Sequence, residues 1–304
     1  MSTPVGNVAE RPSTVEIWYL AARPKTLPAA IAPIVVGTAV AVHEDGFVWW
    51  IALLALVTAL LLQVAANFAN DALDAKRGSD TADRTGPTRV TSAGFVTYKQ
   101  VMNATWITLL LAMCTGLPLL IRGGWPFVFL GIACLVCAVA YTGGPFPISY
   151  LGLGEIFVFL FFGIIAVTGT TYLQTQEITA LALAAAIPPG AMSVGILTTN
   201  NYRDLEQDRL ANKHTVAVRI GAANTRLQYY AMLVITAITP LVFWAVGWLN
   251  GWALLTVLAW PLLWQLAQQF RTKTGPALNK TLGQTGQAAL IHSLLLGIAL
   301  VLST

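Results

Sequence analysis

Apolar residues occur along this chain in nine long runs, which polar segments separate. A helix needs about 20 apolar residues to cross a bilayer, within a range of about 17 to 25, and most of the runs are near that length. The pattern therefore predicts an all-α polytopic membrane protein with nine transmembrane helices, of which the first and fourth have the least certain ends. The runs lie near residues 27–42, 48–66, 103–121, 125–141, 154–172, 178–198, 228–246, 251–268 and 286–302.

Composition agrees with a membrane protein. Of the 304 residues, 56% are hydrophobic and only 10% are charged, and the mean hydropathy is +0.69, whereas soluble domains carry about 25% charged residues. The net charge of +4 does not indicate nucleic acid, because the basic residues are interleaved with the apolar runs. The polar residues 1–15 are predicted to form a disordered tail, and residues 16–304 a single domain. Cys114, Cys134 and Cys137 all lie in apolar runs, which argues against redox or zinc roles.

The basic residues predict an orientation. With nine spans, sixteen of the 17 Lys and Arg residues fall on one side of the membrane, and only Arg122 falls on the other. Cytoplasmic loops carry such an excess. We therefore expect a cytoplasmic N-terminus, cytoplasmic loops at 71–102 and 199–227, and a C-terminus outside.

A first polar stretch follows the second run and reads NFANDALDAKRGSDTADRTGPTR, from residue 67 to residue 89. Asn67, Asp71 and Asp74 are spaced so that they share one face of a helix. Asp80 and Asp83 add two carboxylates. Carboxylates this close repel one another unless a positive charge lies among them, and oxygen ligands of this kind suit a hard divalent cation.

A second stretch follows the sixth run and reads NNYRDLEQDRLANKHTVAVRIG, from residue 200 to residue 221. Asn200 and Asp204 repeat the spacing of Asn67 and Asp71, and Asp208 extends the same face. Two similar helix ends in two halves of a chain suggest an internal repeat whose halves face each other across a cavity. Such faces could hold two magnesium ions, while basic side chains contact phosphate oxygens.

A plainer interpretation is open for each element, because Asp and Arg at the end of a span are usually interfacial residues in contact with water and lipid head groups. Glu155, at the start of the fifth run, fits that description. The matching of two faces favours a binding site instead. The sequence has no phosphate-binding loop, zinc-protease or hydrolase motif, and almost no ionisable residue in mid-span, where an ion transporter would need one. A substrate with a charged head and a long apolar tail fits this distribution.

Four stretches resemble the UbiA superfamily of intramembrane aromatic prenyltransferases, and within it the subgroup that prenylates 1,4-dihydroxy-2-naphthoate in menaquinone synthesis. Besides the two polar stretches, these are ARPKTLPAAIAPIVVGTA at 22–39 and YTGGPFPISYLGLGEIFVFLFFG at 141–163. The portion GSDTADRTGPTR, at 78–89, carries the subgroup likeness. The last quarter of the chain matches only in hydrophobicity.

The resemblance implies nine helices around a central cavity, with the polar loops forming a cap over its cytoplasmic mouth, in a bacterial cell membrane. It implies Mg²⁺, with two ions bridging the aspartates and a polyprenyl diphosphate. Position 75 is alanine where some relatives have aspartate, so that ligand role falls to Asp74, Asp80 or Asp83. By position, the metal ligands would be Asn67, Asp71, Asp74, Asn200, Asp204 and Asp208; the diphosphate contacts would be Lys76, Arg84, Arg89, Arg203, Arg209 and Lys213.

The implied reaction is magnesium-dependent transfer of the polyprenyl group to 1,4-dihydroxy-2-naphthoate, with loss of CO₂ and diphosphate, to give demethylmenaquinol. Arg23 and Lys25 are candidate partners of the naphthoate carboxylate, and Glu155 is a candidate catalytic acid. His214 lies in the second polar loop and has no assigned role. Two alternatives stay open: a transferase of the same superfamily with another acceptor, such as 4-hydroxybenzoate, and a carrier of an anionic lipid.

Overall fold

The structure is a computed structural model that describes residues 11–77, 86–145 and 147–304, and in these ranges it contains helices and no strands. The principal helices are α1 (Thr14–Ala22), α2 (Pro28–His43), α3 (Trp49–Arg77), α4 (Tyr98–Gly123), α5 (Trp125–Ala140), α6 (Gly154–Thr175), α7 (Ala180–Arg203), α8 (Leu205–Leu210), α9 (Val216–Ala245), α10 (Trp260–Thr272) and α11 (Leu278–Val301). The all-α prediction is confirmed.

Six of the described helices are long and apolar enough to cross a membrane, and the bent pair Thr14–Thr26 and Pro28–His43 makes up to seven. The six are α3, α4, α6, α7, α9 and a helix from Gly275 to Val301 that includes α11. The fourth predicted run forms α5, which is apolar but short. The eighth forms a 3₁₀ helix, Gly251–Ala259, that continues into α10. Every run is thus helical, while the count of nine spans stays a prediction.

The first helix begins earlier than the sequence predicted. Ser13 accepts a hydrogen bond from the Glu16 amide, and the Glu16 side chain accepts one from the Ser13 amide, which together form a capping box. Residues 14 and 15 are therefore helical, so the predicted disordered segment 1–15 is wrong at its end. Residues 1–10 lie outside the described part of the chain.

A break in the first span positions the site. Helix α1 ends at Ala22 and is followed by Arg23, whose left-handed backbone (φ 51°) precedes Pro24; Pro28 then opens α2 at an angle of 48° to the first part of the bent pair. Proline fixes φ and lacks an amide hydrogen, so the chain is expected to bend here. The bend brings Thr26 against the face of α3 that carries Asn67, to which it is hydrogen-bonded.

Helices α6 and α7 cross at two glycines. A methyl group added to Gly163 would lie 2.8 Å from the Cα atom of Gly190, so only glycine permits this approach. A π-helical turn in α6, Leu160–Ile165, contains Gly163. The close crossing holds α7, which is largely buried inside the bundle, where its end presents Asn200 to the cavity.

Candidate active site

The first polar stretch begins inside the long helix α3. Asn67, Asp71 and Asp74 are all buried on one face of that helix, as their spacing predicts. The Asp71 carboxylate accepts hydrogen bonds from the amides of Val90 (3.1 Å) and Thr91 (2.9 Å). Asp71 therefore fixes the segment by which the chain returns toward α4, in addition to any contact with a ligand.

Asp74 lies three residues further along and carries a different partner. The Arg89 guanidinium donates to its carboxylate at 3.0 Å, and both side chains are buried. The Tyr150 hydroxyl approaches the other oxygen of Asp74 at 3.5 Å. Removing one member of a buried ion pair leaves an uncompensated charge, so Arg89 and Asp74 are expected to depend on each other.

The second stretch forms the end of α7 and the short helix α8. Arg203 donates through Nε to Asp204 at 2.8 Å and through Nη2 to the same carboxylate, a bidentate contact. The same guanidinium donates to the side chains of Asn200 (2.7 Å) and Asn279 (2.9 Å). Arg203 is thus an internal brace of this half of the site.

The two halves meet around Asp208 and Lys213. The Lys213 ammonium lies 3.6 Å from the Asp208 carboxylate. Burial raises the pKa of Asp208 to about 6; Lys213 opposes that rise, and the negative charges of Asp204 and Asp74 add to it. Burial by itself would lower the pKa of the Lys213 ammonium. The net pKa is nevertheless raised, because the surrounding groups outweigh the effect of burial; they are Asp208, Asp74, the Tyr150 phenol and Asp204. Asp74 of the first half therefore acts on groups of the second, as facing halves require.

Tyr150 links the halves and was not identified from the sequence. Its ring lies 5.1 Å from the Arg77 guanidinium and 5.2 Å from the Lys213 ammonium, distances at which cations are attracted to aromatic faces. The backbone carbonyl of Tyr150 accepts from the amide of His214 at 3.1 Å. A tyrosine in a Pro- and Gly-rich loop gives no periodic signal, so only the fold reveals this contact.

Below these groups lies a cavity of about 530 Å³. Its polar end, nearest the aspartates, is lined by Asn67, Asn70 and Asn200, with Thr26, Gln63 and Arg23 joined to Asn67 through hydrogen bonds. Thr58, Tyr141 and Ser193 add polar atoms elsewhere, and most of the rest of the lining is apolar, such as Ile34, Leu62, Phe127, Phe157, Phe161, Phe162 and Leu197. The cavity can hold an apolar chain whose polar head meets the two aspartate-bearing helix ends. Gln63 and Asn70 were also missed, although both lie on the face of α3 that Asn67 and Asp74 define.

Several predicted residues lie away from this cavity. Lys25 is exposed, Lys76 is exposed and 5.3 Å from the Tyr98 ring, and Arg209 pairs with Glu206 on the surface. Glu155 accepts a hydrogen bond from Asn201 at 3.2 Å and does not line the cavity. The predicted contacts of Asp80, Asp83 and Arg84 fall outside the described residues.

The carboxylates of the site are suitable ligands for a divalent cation. Within the described residues, no three His, Cys, Asp or Glu side chains converge as a ready metal centre; Asp74 and Asp204 are held by guanidinium groups, and Asp71 by backbone amides. However, the negative charges of Asp74 and Asp204 both raise the pKa of Asp208. A hard cation stabilises such a set of carboxylates.

Solved structures of UbiA homologs share the fold of this chain. A UbiA homolog from Aeropyrum pernix K1 superposes with a TM-score of 0.68 at 13% identity, over 90% of this chain and 97% of that one. A UbiA homolog from Archaeoglobus fulgidus, bound to DMAPP and Mg²⁺, has a TM-score of 0.64 at 14% identity, over 94% and 99% of the two chains. These likenesses confirm the predicted fold class.

Other relatives have a higher sequence identity to this chain than these two structures do. The 1,4-dihydroxy-2-naphthoate octaprenyltransferase of Mycobacterium tuberculosis is 39% identical over 285 residues, which are 93% of this chain and 96% of the relative. The enzyme of the same name from Escherichia coli is 37% identical over 299 residues, or 96% and 97% of the two chains. The likeness thus extends through the last quarter, which from its sequence matched only in hydrophobicity. Residues 30–301 match the model of the UbiA prenyltransferase family, and the chain belongs to that family of membrane proteins.

Proposed function

We propose that this protein transfers a polyprenyl group from a polyprenyl diphosphate to 1,4-dihydroxy-2-naphthoate, with magnesium as its cofactor, and so forms demethylmenaquinol. One observation carries the proposal: two aspartate-bearing helix ends meet at the polar end of a largely apolar cavity. The acceptor rests on the names of the relatives from M. tuberculosis and E. coli.

The donor is expected to lie with its diphosphate among the charged residues and its first isoprene units in the cavity. The apolar wall excludes water from the reacting carbon, which protects a carbocation from hydrolysis. A long polyprenyl tail exceeds a volume of about 530 Å³, so the remainder would extend into the bilayer. The A. fulgidus homolog, bound to DMAPP and Mg²⁺, supports this class of donor.

The residues that would hold Mg²⁺ are Asn67, Asp71, Asp74, Asn200, Asp204 and Asp208, with Asp80 and Asp83 as further candidates. When bound, Mg²⁺ supplies positive charge to the oxygens of the departing diphosphate. Lys213 adds a cation at the same place, and Arg77 lies on the same tyrosine ring. Arg203 and Arg89 hold the carboxylates Asp204 and Asp74 in position.

The acceptor would enter with its carboxylate toward Arg23, which lines the polar end of the cavity. The allylic C–O bond breaks and its electron pair leaves with the diphosphate. The ring carbon that bears the carboxylate then bonds to the allylic carbon. Loss of CO₂ returns the electrons of the C–C bond to the ring and restores aromaticity. No proton needs to be removed from that carbon, so the chemistry assigns no general base to Glu155.

The test is an incubation of purified protein with a polyprenyl diphosphate, Mg²⁺ and either 1,4-dihydroxy-2-naphthoate or 4-hydroxybenzoate, read by mass spectrometry. We expect a decarboxylated, prenylated naphthoquinol and no prenylated benzoate. Turnover of the benzoate alone would assign another acceptor within the family. Binding of the diphosphate without any product would support a lipid carrier instead.

A further inference from the structure

A single glutamine stands in the apolar part of α3, directly below the proposed metal site. Gln63 is the only polar residue between Thr58 and Asn67, and it is half-buried on the cavity wall. Polar side chains within a membrane span are costly and are usually retained for function. The reaction derived above gives Gln63 no role.

A hydrogen-bond network fixes which way this carboxamide faces. The hydroxyl of Thr26 donates its one hydrogen to the carbonyl of Arg23 at 2.9 Å. The same oxygen therefore acts only as an acceptor toward its other two neighbours, the side-chain nitrogens of Gln63 (3.2 Å) and Asn67 (3.0 Å). The Asn67 nitrogen also donates to the carbonyl of Ala22 at 2.8 Å. Both nitrogens are thus directed to the bend of the first span, and the carbonyl oxygens face away from Thr26.

The position of Gln63 along α3 indicates which ligand group its side-chain oxygen could contact. Gln63 precedes Asn67 by one turn of α3, about 6 Å at 1.5 Å per residue, on the side away from Asp71. The diphosphate belongs near Asp71 and Asp74, so the carbon that it leaves, and the ring that attacks this carbon, belong about one turn deeper. A ligand group here must be a hydrogen-bond donor, because the protein presents an acceptor.

The acceptor molecule has one hydroxyl suited to this role. In 1,4-dihydroxy-2-naphthoate the 1-hydroxyl is adjacent to the carboxylate and forms an internal hydrogen bond with it. The 4-hydroxyl lies on the opposite side of the ring and has no internal partner. Arg23 and Gln63 line the same cavity, and Thr26 is hydrogen-bonded to the Arg23 carbonyl and to the Gln63 side chain. With the carboxylate at Arg23, the 4-hydroxyl is the donor left for the glutamine.

We infer that Gln63 is a positioning residue whose Oε1 accepts a hydrogen bond from the 4-hydroxyl of the naphthoate, and that it sets the preference of the enzyme for a dihydroxylated ring. This inference rests on the proposed function. It also explains why the Thr26 hydroxyl accepts hydrogen bonds from two carboxamides. A contact that only joined the two helices would need a single carboxamide. An acceptor oxidised to a quinone lacks the donor and is expected to bind less well.

The test compares 1,4-dihydroxy-2-naphthoate with 1-hydroxy-2-naphthoate, which lacks only the 4-hydroxyl. Since that hydroxyl is meta to the attacked carbon, its loss is expected to change binding more than ring reactivity. The wild-type enzyme should favour the dihydroxy acceptor in kcat/KM by at least about tenfold. In Gln63→Leu and Gln63→Met this preference should approach unity through a raised KM for the dihydroxy acceptor. The half-saturation by polyprenyl diphosphate and the rate with the monohydroxy acceptor should remain as in wild type.

Thr58→Val is the matched control. Thr58 also lines the cavity from α3, and its hydroxyl is 3.0 Å from that of Thr115 on α4, so this substitution too removes a polar contact between helices. It should leave the preference unchanged. An unchanged preference in both Gln63 variants would overturn the inference. An equal loss of activity with the two acceptors in both variants would overturn it as well, because that loss is what a structural tie predicts. Absence of naphthoate turnover in the wild type would instead refute the proposed function itself.

Discussion

At the residue scale, the site is a set of carboxylates, each with its own partner. Asp71 binds two backbone amides, Asp74 binds Arg89, Asp204 binds Arg203, and Asp208 lies near Lys213. These partners offset the negative charges of the buried carboxylates. The roles of the four acids should therefore differ, and substitutions can separate them.

Asp71→Asn should lower kcat by about two orders of magnitude or more, while the half-saturation by polyprenyl diphosphate changes modestly. The reason is that the tail binds by apolar burial, whereas the lost charge acts on the departing diphosphate. Glu206→Gln, at an exposed carboxylate paired with Arg209, is the control and should keep wild-type kinetics. An unchanged kcat with a greatly raised KM would mean that Asp71 only anchors the head group.

Asp208 is expected to make the proposed binding of magnesium dependent on pH. Its pKa is raised to about 6, so the carboxylate is protonated below that pH and available to a cation above it. A proton must then be displaced on binding, and the apparent affinity for Mg²⁺ should fall by about tenfold for each pH unit below 6. Magnesium titrations of turnover between about pH 5 and about pH 7 measure this. Asp208→Asn should bind Mg²⁺ more weakly than the wild type, and its affinity should depend less on pH. If the affinity of this variant changed with pH as steeply as that of the wild type, Asp208 would be excluded as the titrating group.

At the element scale, the helix ends follow from the sequence, whereas the paths of the loops do not. The spacing of Asn67, Asp71 and Asp74 was enough to predict a shared buried face, since a helix fixes that geometry. Extending the same face would have found Gln63 and Asn70. The contacts of Asp71 with Val90 and Thr91 depend on how the chain returns after the helix, and no local pattern encodes that return.

The positions of the basic side chains were also difficult to predict from the sequence. Lys76 and Arg209 were plausible phosphate ligands by position, and Lys25 was a plausible partner of the naphthoate carboxylate, but their long side chains lie on the outer surface. A flexible side chain at a helix end can turn toward a site or away from it, and neighbours such as Tyr98 and Glu206 decide between the two. Lys213 is near the acids because Asp208 and Tyr150 hold it there.

The glycine crossing of α6 and α7 predicts a stability effect. In Gly163→Ala the new methyl group would meet backbone atoms of Gly190 at 2.8 Å and of Ala186 at 3.0 Å, so the helices must move apart. We expect a loss of about 1 to 3 kcal/mol in the free energy of unfolding, seen as a lower melting temperature in detergent. Gly251→Ala places its methyl group in open space and should melt as the wild type does. Equal melting of both variants would mean that the crossing tolerates the extra volume.

At the scale of the whole molecule, hydrophobicity predicted the helical class, and repeated spacing predicted that the two aspartate-bearing stretches lie near each other. The number of spans was less so, because α5 is short and the eighth run begins as a 3₁₀ helix. The central cavity and its polar lining come from tertiary packing, above all from the bend at Pro24 and the close crossing of α6 and α7.

The orientation in the membrane is a prediction from the distribution of basic residues along the sequence. A membrane-impermeant maleimide should label Ala211→Cys only from the cytoplasmic side of sealed vesicles and Glu177→Cys only from the outside. The two positions lie at opposite ends of α7 and its flanking loops, and the unsubstituted protein gives the background from its three cysteines. Labelling of Ala211→Cys from outside would reverse the predicted topology.

The central claim is that both aspartate-bearing faces act on one diphosphate through a divalent cation. The most direct measurement is a magnesium titration of demethylmenaquinol formation in the wild type, Asp74→Ala, Asp204→Ala and the double variant. Our account predicts no product in chelator, a large loss of turnover in each single variant, and little further loss in the double, because the two halves serve one step. Full activity in chelator, or wild-type rates in both single variants, would contradict it.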